Sequence, residues 1–179
     1  ALPEHKTIVL YCGSGANVYY RLDYVLSSVR SLPDEVKRLF FFVFYLYDGI
    51  EIVRKMKERL QISDDLVEVR GPVPRVVLAE VMAACDVGLV PFDDERYLLC
   101  ARSAKLYEYL SAGLYVVGSG PKGGELDQLL SDNRQRGTFC LPSVKNFLNV
   151  FLGIIKDKAY ILDAASRSLR HRFIQENYE

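Results

Sequence analysis

Short apolar runs alternate with amphipathic stretches along almost the whole chain. Each run has the length and composition of a buried strand, and each intervening stretch has apolar residues at helical spacing. The predicted strands span residues 7–12, 39–47, 66–69, 86–91, 114–117 and 138–141. The predicted helices span residues 22–32, 50–60, 76–85 and 104–112, with one or two closing helices in 147–177. This alternation predicts an α/β fold: a doubly wound, Rossmann-like parallel sheet of about six strands with helices on both faces.

Chain length and charge limit the classes of protein to consider. The 179 residues are enough for one domain with a substantial core, so residues 1–179 are expected to form a single domain. The 23 basic and 23 acidic residues balance, which gives no electrostatic argument for a nucleic-acid partner. The strongest apolar run, residues 39–47, is too short to span a bilayer, and residues 1–6 are too polar for a signal peptide.

The four cysteines indicate the redox environment. Cys12, Cys85, Cys100 and Cys140 are widely spaced and form no C-x-x-C pair. Three of them lie in or beside apolar runs, so we expect free thiols rather than disulfides or zinc ligands. Free thiols fit a reducing compartment, and we therefore expect a cytoplasmic protein.

Loops that contain glycine or proline follow several of the predicted strands. Because ligands bind beyond the carboxyl ends of parallel strands, loops 13–17, 71–75, 91–103 and 118–125 are expected to gather around a ligand. The G-x-G after the first strand lacks the third glycine of a dinucleotide fingerprint, and no P-loop or G-x-S-x-G motif is present. His5 and His171 lie near the termini and are expected at the surface. No cluster has metal-ligand spacing, so neither a metal nor a cofactor is expected.

The predicted helix 104–112 places charged groups at that edge of the sheet. Ser103 is the expected N-cap, and the free amides of Ser103 and Ala104 with the Lys105 ammonium would attract a phosphate. Glu108, one turn further on, could accept hydrogen bonds from a ribose diol. Arg21, after the first glycine turn, would add a second cation. The alternative for Glu108 is a solvated helix face or an ion pair with Lys105.

Residues 67–125 carry a resemblance to a known family. The stretches are VEVRGPVPRVVLAEVMAACDVGLVPF and KLYEYLSAGLYVVGSGPKGGE, which match at residues 67–74, 86–91 and 108–117. They resemble the nucleotide-sugar-binding, C-terminal domain of GT-B glycosyltransferases, especially the large retaining family 4 type. With the glycine turn after the first strand included, the resemblance covers nearly the whole chain.

The resemblance implies a role for individual residues. Glu108 would bind the nucleotide ribose, and the amides of Ser103 and Ala104 would hold the diphosphate beside Lys105. Val73 would make backbone contacts to the base. Gly13 and Ser14 would lie beside the phosphates, and Arg21 falls near the phosphate-binding lysine of the family.

The resemblance also implies a function. It predicts metal-independent, retaining glycosyl transfer from a UDP- or GDP-sugar, with leaving-group charge stabilised by Arg21, Lys105 and helix amides. A GT-B enzyme needs an N-terminal acceptor domain, and these residues are expected to form only the donor half, so the domain alone is expected to be inactive. The closing helices would then expose apolar surface. A lipid-linked acceptor would place the parent protein at a membrane surface.

Two departures from the family keep other functions open. The glutamate that usually precedes the Glu108 position by eight residues falls on Cys100, although Asp93, Asp94 or Glu95 could substitute from a different loop shape. The arginine that usually follows the first glycine is Ser14. One alternative is therefore half of a sugar-nucleotide epimerase on the same fold. Another is a degenerate, non-catalytic domain kept for protein association.

Overall fold

A six-stranded parallel sheet forms the centre of the computed structural model, which describes residues 2–178. The strands are β1 (Thr7–Ser14), β2 (Phe40–Asp48), β3 (Val67–Arg70), β4 (Val87–Pro91), β5 (Tyr115–Ser119) and β6 (Gly137–Cys140). Their order across the sheet is β3-β2-β1-β4-β5-β6. The chain builds one side of the sheet from β1 to β3 and then returns to the other side of β1 with β4. The point where the order reverses therefore lies between β1 and β4, where such folds bind ligands.

Helices cover both faces of the sheet, which confirms the predicted fold class. They are α1 (Leu22–Ser31), α2 (Asp34–Lys37), α3 (Ile50–Arg59), α4 (Arg75–Ala83), α5 (Ala104–Ser111), α6 (Glu125–Ser131), α7 (Val144–Lys156), α8 (Lys158–Ile161) and α9 (Ala164–Tyr178). A 3-10 helix spans Arg96–Cys100.

Several short helices were not predicted from the sequence. The loop prediction for 91–103 misses the 3-10 helix, and the glycine loop 118–125 is followed at once by α6. Within α6, Leu126 and Leu130 are buried at a spacing of four residues, so one apolar face holds a helix too short to show a long periodic pattern. The closing segment is divided into three helices rather than one or two.

Side chains of the central strands point alternately to the two faces of the sheet and so contribute to two separate cores. Val9 and Tyr11 of β1 pack in one core with α1, α3 and α7, whereas Ile8 and Leu10 pack in the other with α4, α5, α6 and α9. The same alternation runs along β2. Because successive side chains of a strand point to opposite faces, a nearly continuous apolar strand supplies both cores at once.

Tyr109 fixes α5 against the sheet. Its side chain is fully buried, and its hydroxyl accepts a hydrogen bond from the Cys12 amide at 3.0 Å. A Cβ at Gly88 of β4 would lie 2.3 Å from Cδ2 of Tyr109, so only glycine allows the ring to approach the strand this closely. This contact determines where the first two turns of α5, with Lys105 and Glu108, meet the carboxyl edge of the sheet.

The prediction of free thiols is confirmed, and several helices expose apolar side chains. All four cysteines are free thiols. On the closing helices, Leu152, Tyr160, Leu169 and Tyr178 are exposed, as are Val76 and Val77 on α4. Among residues 2–178, no helix combines the length and apolar character needed to cross a membrane.

Candidate functional site

A cavity of about 400 Å³ opens at the carboxyl edge of the sheet, beside the point where the strand order reverses. We call it the edge cavity. It is lined by Cys12, Gly13, Tyr45, Leu46, Tyr47, Pro72, Val73, Arg75, Leu78, Ala104, Lys105 and Glu108. The structure therefore brings together most of the predicted site residues: Gly13, Val73, Ala104, Lys105 and Glu108. Ser14, Ser103 and Arg21 are not part of its wall.

Lys105 supplies a positive charge that no carboxylate neutralises. Its ammonium donates a hydrogen bond to the Tyr20 hydroxyl at 2.7 Å and lies 4.4 Å from the centre of the Tyr20 ring. It takes part in none of the ion pairs found among residues 2–178. A Cβ at Gly13 would lie 2.6 Å from Cε of Lys105, so the glycine makes room for this side chain. A half-buried cation without a counterion favours an anionic ligand.

The N-terminus of α5 points free amides at the same place. The Ser103 N–H donates to the Glu125 carboxylate at 3.1 Å, and the same carboxylate accepts from the Tyr107 hydroxyl at 2.7 Å. Within the described part of the chain, the amides of Ala104 and Lys105 make no hydrogen bond, as expected in a first helical turn. Together with the helix dipole they can bind an anion.

Ser103 does not cap α5 as the sequence predicted. It occupies the N-cap position, but its hydroxyl makes no capping hydrogen bond. The Ser103 Oγ is buried and has no hydrogen-bond partner. Glu125, which lies 22 residues further along the chain, binds the Ser103 amide instead. Within residues 2–178 the hydroxyl is thus a buried polar group that makes no hydrogen bond, and it does not line the edge cavity.

Glu108 lies one turn after Lys105 on α5 and is exposed to solvent at the wall of the edge cavity. The alternative of an ion pair with Lys105 is wrong, because Glu108 joins none of the ion pairs within residues 2–178. The carboxylate also lines a neighbouring cavity of about 480 Å³ between α4 and α5. Its oxygens are therefore free to accept hydrogen bonds from hydroxyl groups.

The loop after β1 binds a carboxylate of the protein itself. Asp48 Oδ1 accepts from the Ser14 hydroxyl at 2.6 Å, from the Gly15 amide at 2.9 Å and from the Ala16 amide at 3.3 Å. The Ser14 hydrogen bond is the main reason that the pKa of Asp48 lies below its ordinary value of 3.8. Ser14 and these amides hold the loop in shape and have no contact with the edge cavity.

Arg21 is engaged with two carboxylates. Its guanidinium forms two hydrogen bonds with Asp23, at 3.0 and 2.9 Å, and contacts Asp93 at 3.1 Å. It also lies 3.4 Å from the centre of the Tyr24 ring. These contacts raise the pKa of Arg21 above its ordinary value, with the Asp23 hydrogen bond as the main cause. Arg21 thus joins the start of α1 to the loop after β4.

Arg75 is a second cation at the cavity wall that the sequence analysis did not single out. It begins α4 directly after Pro74, and it is exposed. No ion pair within residues 2–178 includes it. Its position in a loop expected at the carboxyl edge was the available signal. Arg75 and Lys105 line the same cavity.

Among residues 2–178, Glu108 is the single carboxylate that lines the edge cavity, so none of the three substitutes considered for a glutamate at the Cys100 position lies there. Cys100 ends the 3-10 helix and is exposed. Asp93 accepts hydrogen bonds from Arg21, and neither Asp94 nor Glu95 lines the edge cavity. Within residues 2–178, no group of three or more His, Cys, Asp and Glu side chains could hold a metal ion.

Comparison with solved structures identifies proteins that share this fold. A crystal structure of WaaG, a glycosyltransferase involved in lipopolysaccharide biosynthesis, superposes with a TM-score of 0.78 at 18% sequence identity, over 98% of this chain and 44% of that one. HepE from Anabaena, in complex with UDP, superposes with a TM-score of 0.69 at 16% identity, over 98% of this chain and 45% of that one. The C-terminal domain of a glycosyl transferase group 1 family protein (LpcC) from Francisella tularensis gives a TM-score of 0.73 at 10% identity, covering 99% and 88%.

These similarities confirm the resemblance to GT-B glycosyltransferases at the level of the fold. The chain spans less than half the length of WaaG and HepE, and it covers 88% of the separate C-terminal domain. No protein-family model and no curated protein matches the sequence. At these low identities, the functional argument depends on the geometry of the edge cavity.

Proposed function

We propose that this chain is the nucleotide-sugar-binding half of a GT-B glycosyltransferase and binds a UDP- or GDP-sugar in the edge cavity. One observation carries the proposal. An unpaired ammonium (Lys105), free helix amides at Ala104 and Lys105, and an exposed carboxylate (Glu108) lie within one turn of the same helix at the carboxyl edge. This is the arrangement that a ribose joined to a diphosphate requires.

Each part of the ligand has a matching group in the proposal. The diphosphate accepts hydrogen bonds from the α5 amides of Ala104 and Lys105 and from the Lys105 ammonium. The ribose hydroxyls donate to Glu108. The base lies against Val73, where the backbone between β3 and α4 provides peptide groups, and Gly13 keeps the space that Lys105 needs.

Arg75, which lines the same cavity, adds a second cation in the proposal.

The same groups would serve glycosyl transfer. When the sugar leaves, negative charge grows on the diphosphate, and a preorganised ammonium with helix amides stabilises that charge. In the proposal the charge on the diphosphate is stabilised without a metal ion, and the glycosyl transfer is retaining. The acceptor enters from a separate N-terminal domain, and the isolated half binds nucleotide without turnover.

A titration with UDP and GDP tests this proposal. Calorimetry should show saturable binding of at least one of the two nucleotides. Lys105→Ala should weaken it about tenfold or more, because a charge-assisted hydrogen bond is lost, and Glu108→Gln should weaken it by a smaller factor. Lys145→Ala and Glu35→Gln remove exposed charges elsewhere and serve as matched controls. Absence of binding, or equal effects of site and control variants, would contradict the proposal.

A second candidate is a domain that binds the nucleotide sugar but no longer supports turnover. Cys100 favours it, since no carboxylate replaces the expected glutamate at the cavity. Product analysis with the full-length protein separates the candidates. Transfer to an acceptor supports the transferase, an isomerised sugar nucleotide supports the epimerase alternative, and nucleotide binding without any product supports the non-catalytic domain.

A further inference from the structure

A third cavity, of about 260 Å³, lies at the opposite edge of the sheet. It is formed by the turn that precedes β6 and by α9, and we call it the arginine cavity. It is lined by Asn133, Gln135, Arg136, Leu169, Arg170, Arg172, Phe173 and Glu176. Because residues 133–136 come before the first residue of β6, this cavity lies at the amino edge, away from the edge cavity.

Arg170 places a buried positive charge in its wall. The residue is 2% exposed, and its Nε and Nη1 donate to the backbone carbonyls of Gly113, Gln135 and Ile161 at 2.8 to 2.9 Å. It forms no ion pair within residues 2–178. Burial lowers the pKa of Arg170 to about 10. The positive charge of Arg170 thus lies beside the cavity, bound by backbone carbonyls rather than by a carboxylate.

Arg136 has hydrogen-bonding capacity that the protein does not use. Its guanidinium lies 3.6 Å from the centre of the Phe173 ring, which fixes its plane. Its Nε is buried and has no hydrogen-bond partner, while its Nη1 reaches only Asp132, at 3.9 Å. Apart from this long contact with Asp132, the Arg136 side chain makes no hydrogen bond within residues 2–178, so its guanidinium retains donors for a ligand.

The remaining charges of the cavity also favour an anion. Arg172 is exposed on α9 and adds a third guanidinium, and the amide side chains of Asn133 and Gln135 complete a polar wall. Glu176 is the single acidic residue of the lining. Several guanidinium groups around a small cavity match phosphate oxygens, which accept paired hydrogen bonds from arginine.

We propose that the arginine cavity binds a phosphate group, carried either by a soluble phosphorylated compound or by an anionic lipid headgroup. The group accepts hydrogen bonds from Arg136 and Arg172 above the buried charge of Arg170. This site is separate from the edge cavity and does not depend on the function proposed for it.

Titration with inorganic pyrophosphate at constant ionic strength tests the site. The experiment uses the Lys105→Ala variant, so that binding at the start of α5 does not interfere. Saturable binding should remain, and Arg172→Gln or Arg136→Gln should weaken it about tenfold. Arg134→Gln, which removes a neighbouring exposed arginine outside the cavity, should leave it unchanged. Glu176→Gln should strengthen it, an effect that a purely structural role would not produce.

Vesicles distinguish the two sources of the phosphate. A lipid headgroup would be indicated if the protein cosediments with phosphatidylglycerol vesicles but not with phosphatidylcholine vesicles. The Arg172→Gln variant should then lose this cosedimentation. Pyrophosphate binding without vesicle binding would indicate a soluble ligand. Arg172 is exposed, so its variant should fold normally. No saturable pyrophosphate binding, or binding equal in the Arg172, Arg136 and Arg134 variants, would overturn the proposal.

Discussion

At the scale of single residues, Gly13 and Lys105 form one unit. Gly13 lines the edge cavity, and its missing side chain leaves the space in which Lys105 Cε lies. The place of Gly13 beside the phosphates stays a prediction. The residue sets the position of the cation.

Gly13→Ala should displace Lys105 and weaken nucleotide binding. The added Cβ would lie 2.6 Å from Lys105 Cε and 3.0 Å from the Tyr11 hydroxyl, so the side chains must move. We expect a loss of about 1–3 kcal/mol in the free energy of unfolding, measured by urea titration, together with a lower affinity for UDP or GDP. Gly153→Ala, where a new Cβ meets nothing within 4 Å, is the control. It should lower neither the free energy of unfolding nor the affinity for nucleotide. Unchanged affinity in Gly13→Ala would contradict this role.

Asp48 makes the loop after β1 sensitive to acid. Its pKa is lowered in the folded protein, so it stabilises the fold above its unfolded pKa, and this stabilisation is lost as the pH falls through the folded value. Asp48→Asn should therefore be less stable than the wild type at pH 7, and the difference should disappear well below pH 3.8. Thermal unfolding across this pH range measures it. Asp94→Asn, which removes an exposed carboxylate, serves as the control variant. A pH-independent difference for Asp48→Asn would refute the argument.

At the scale of elements, one carboxylate connects α5 to α6. Glu125 begins α6 and accepts hydrogen bonds from the Ser103 amide and the Tyr107 hydroxyl, both near the start of α5. Negative charge at a helix N-terminus is also favourable to the helix dipole. The connection keeps the Ala104 and Lys105 amides in position over the edge cavity.

A double-mutant cycle measures this connection. Glu125→Ala should lower the free energy of unfolding by about 2 kcal/mol and Tyr107→Phe by about 1 kcal/mol. Because the two groups share a hydrogen bond, the double variant should lose less than the sum of the single losses, by about 1 kcal/mol. Chemical denaturation of the four proteins gives the coupling energy. Strictly additive losses would show that the contact between Glu125 and Tyr107 contributes nothing.

The limits of sequence reasoning are visible in the same elements. The long strands and the helix carrying Lys105 and Glu108 were predictable, because apolar runs and helical spacing are local properties of the sequence. The partners of Ser14, Ser103 and Arg21 were not. Asp48, Glu125 and Asp93 lie 34, 22 and 72 residues away along the chain, and only the fold brings them into contact. The same applies to Arg75, because only the fold brings it to the wall of the cavity that Lys105 also lines.

At the scale of the whole molecule, the two edges of the sheet differ in chemistry. The carboxyl edge combines unpaired cations, free helix amides and an exposed carboxylate, as a nucleoside diphosphate requires. The amino edge collects arginines around a smaller cavity. The chain superposes on one half of larger glycosyltransferases, so a complete reaction needs groups from outside residues 1–179 in our proposal.

The most direct test is to record backbone amide NMR spectra of the isotope-labelled chain during titration with UDP and GDP. We predict saturable shift changes at Val73, Ala104, Lys105 and Glu108, with little change at Gln135 and Arg136 on the opposite edge. Lys105→Ala should weaken the response at all four positions. Shift changes that avoid the α5 N-terminus, or a spectrum unaltered by either nucleotide, would contradict the proposal that the edge cavity binds a nucleotide sugar.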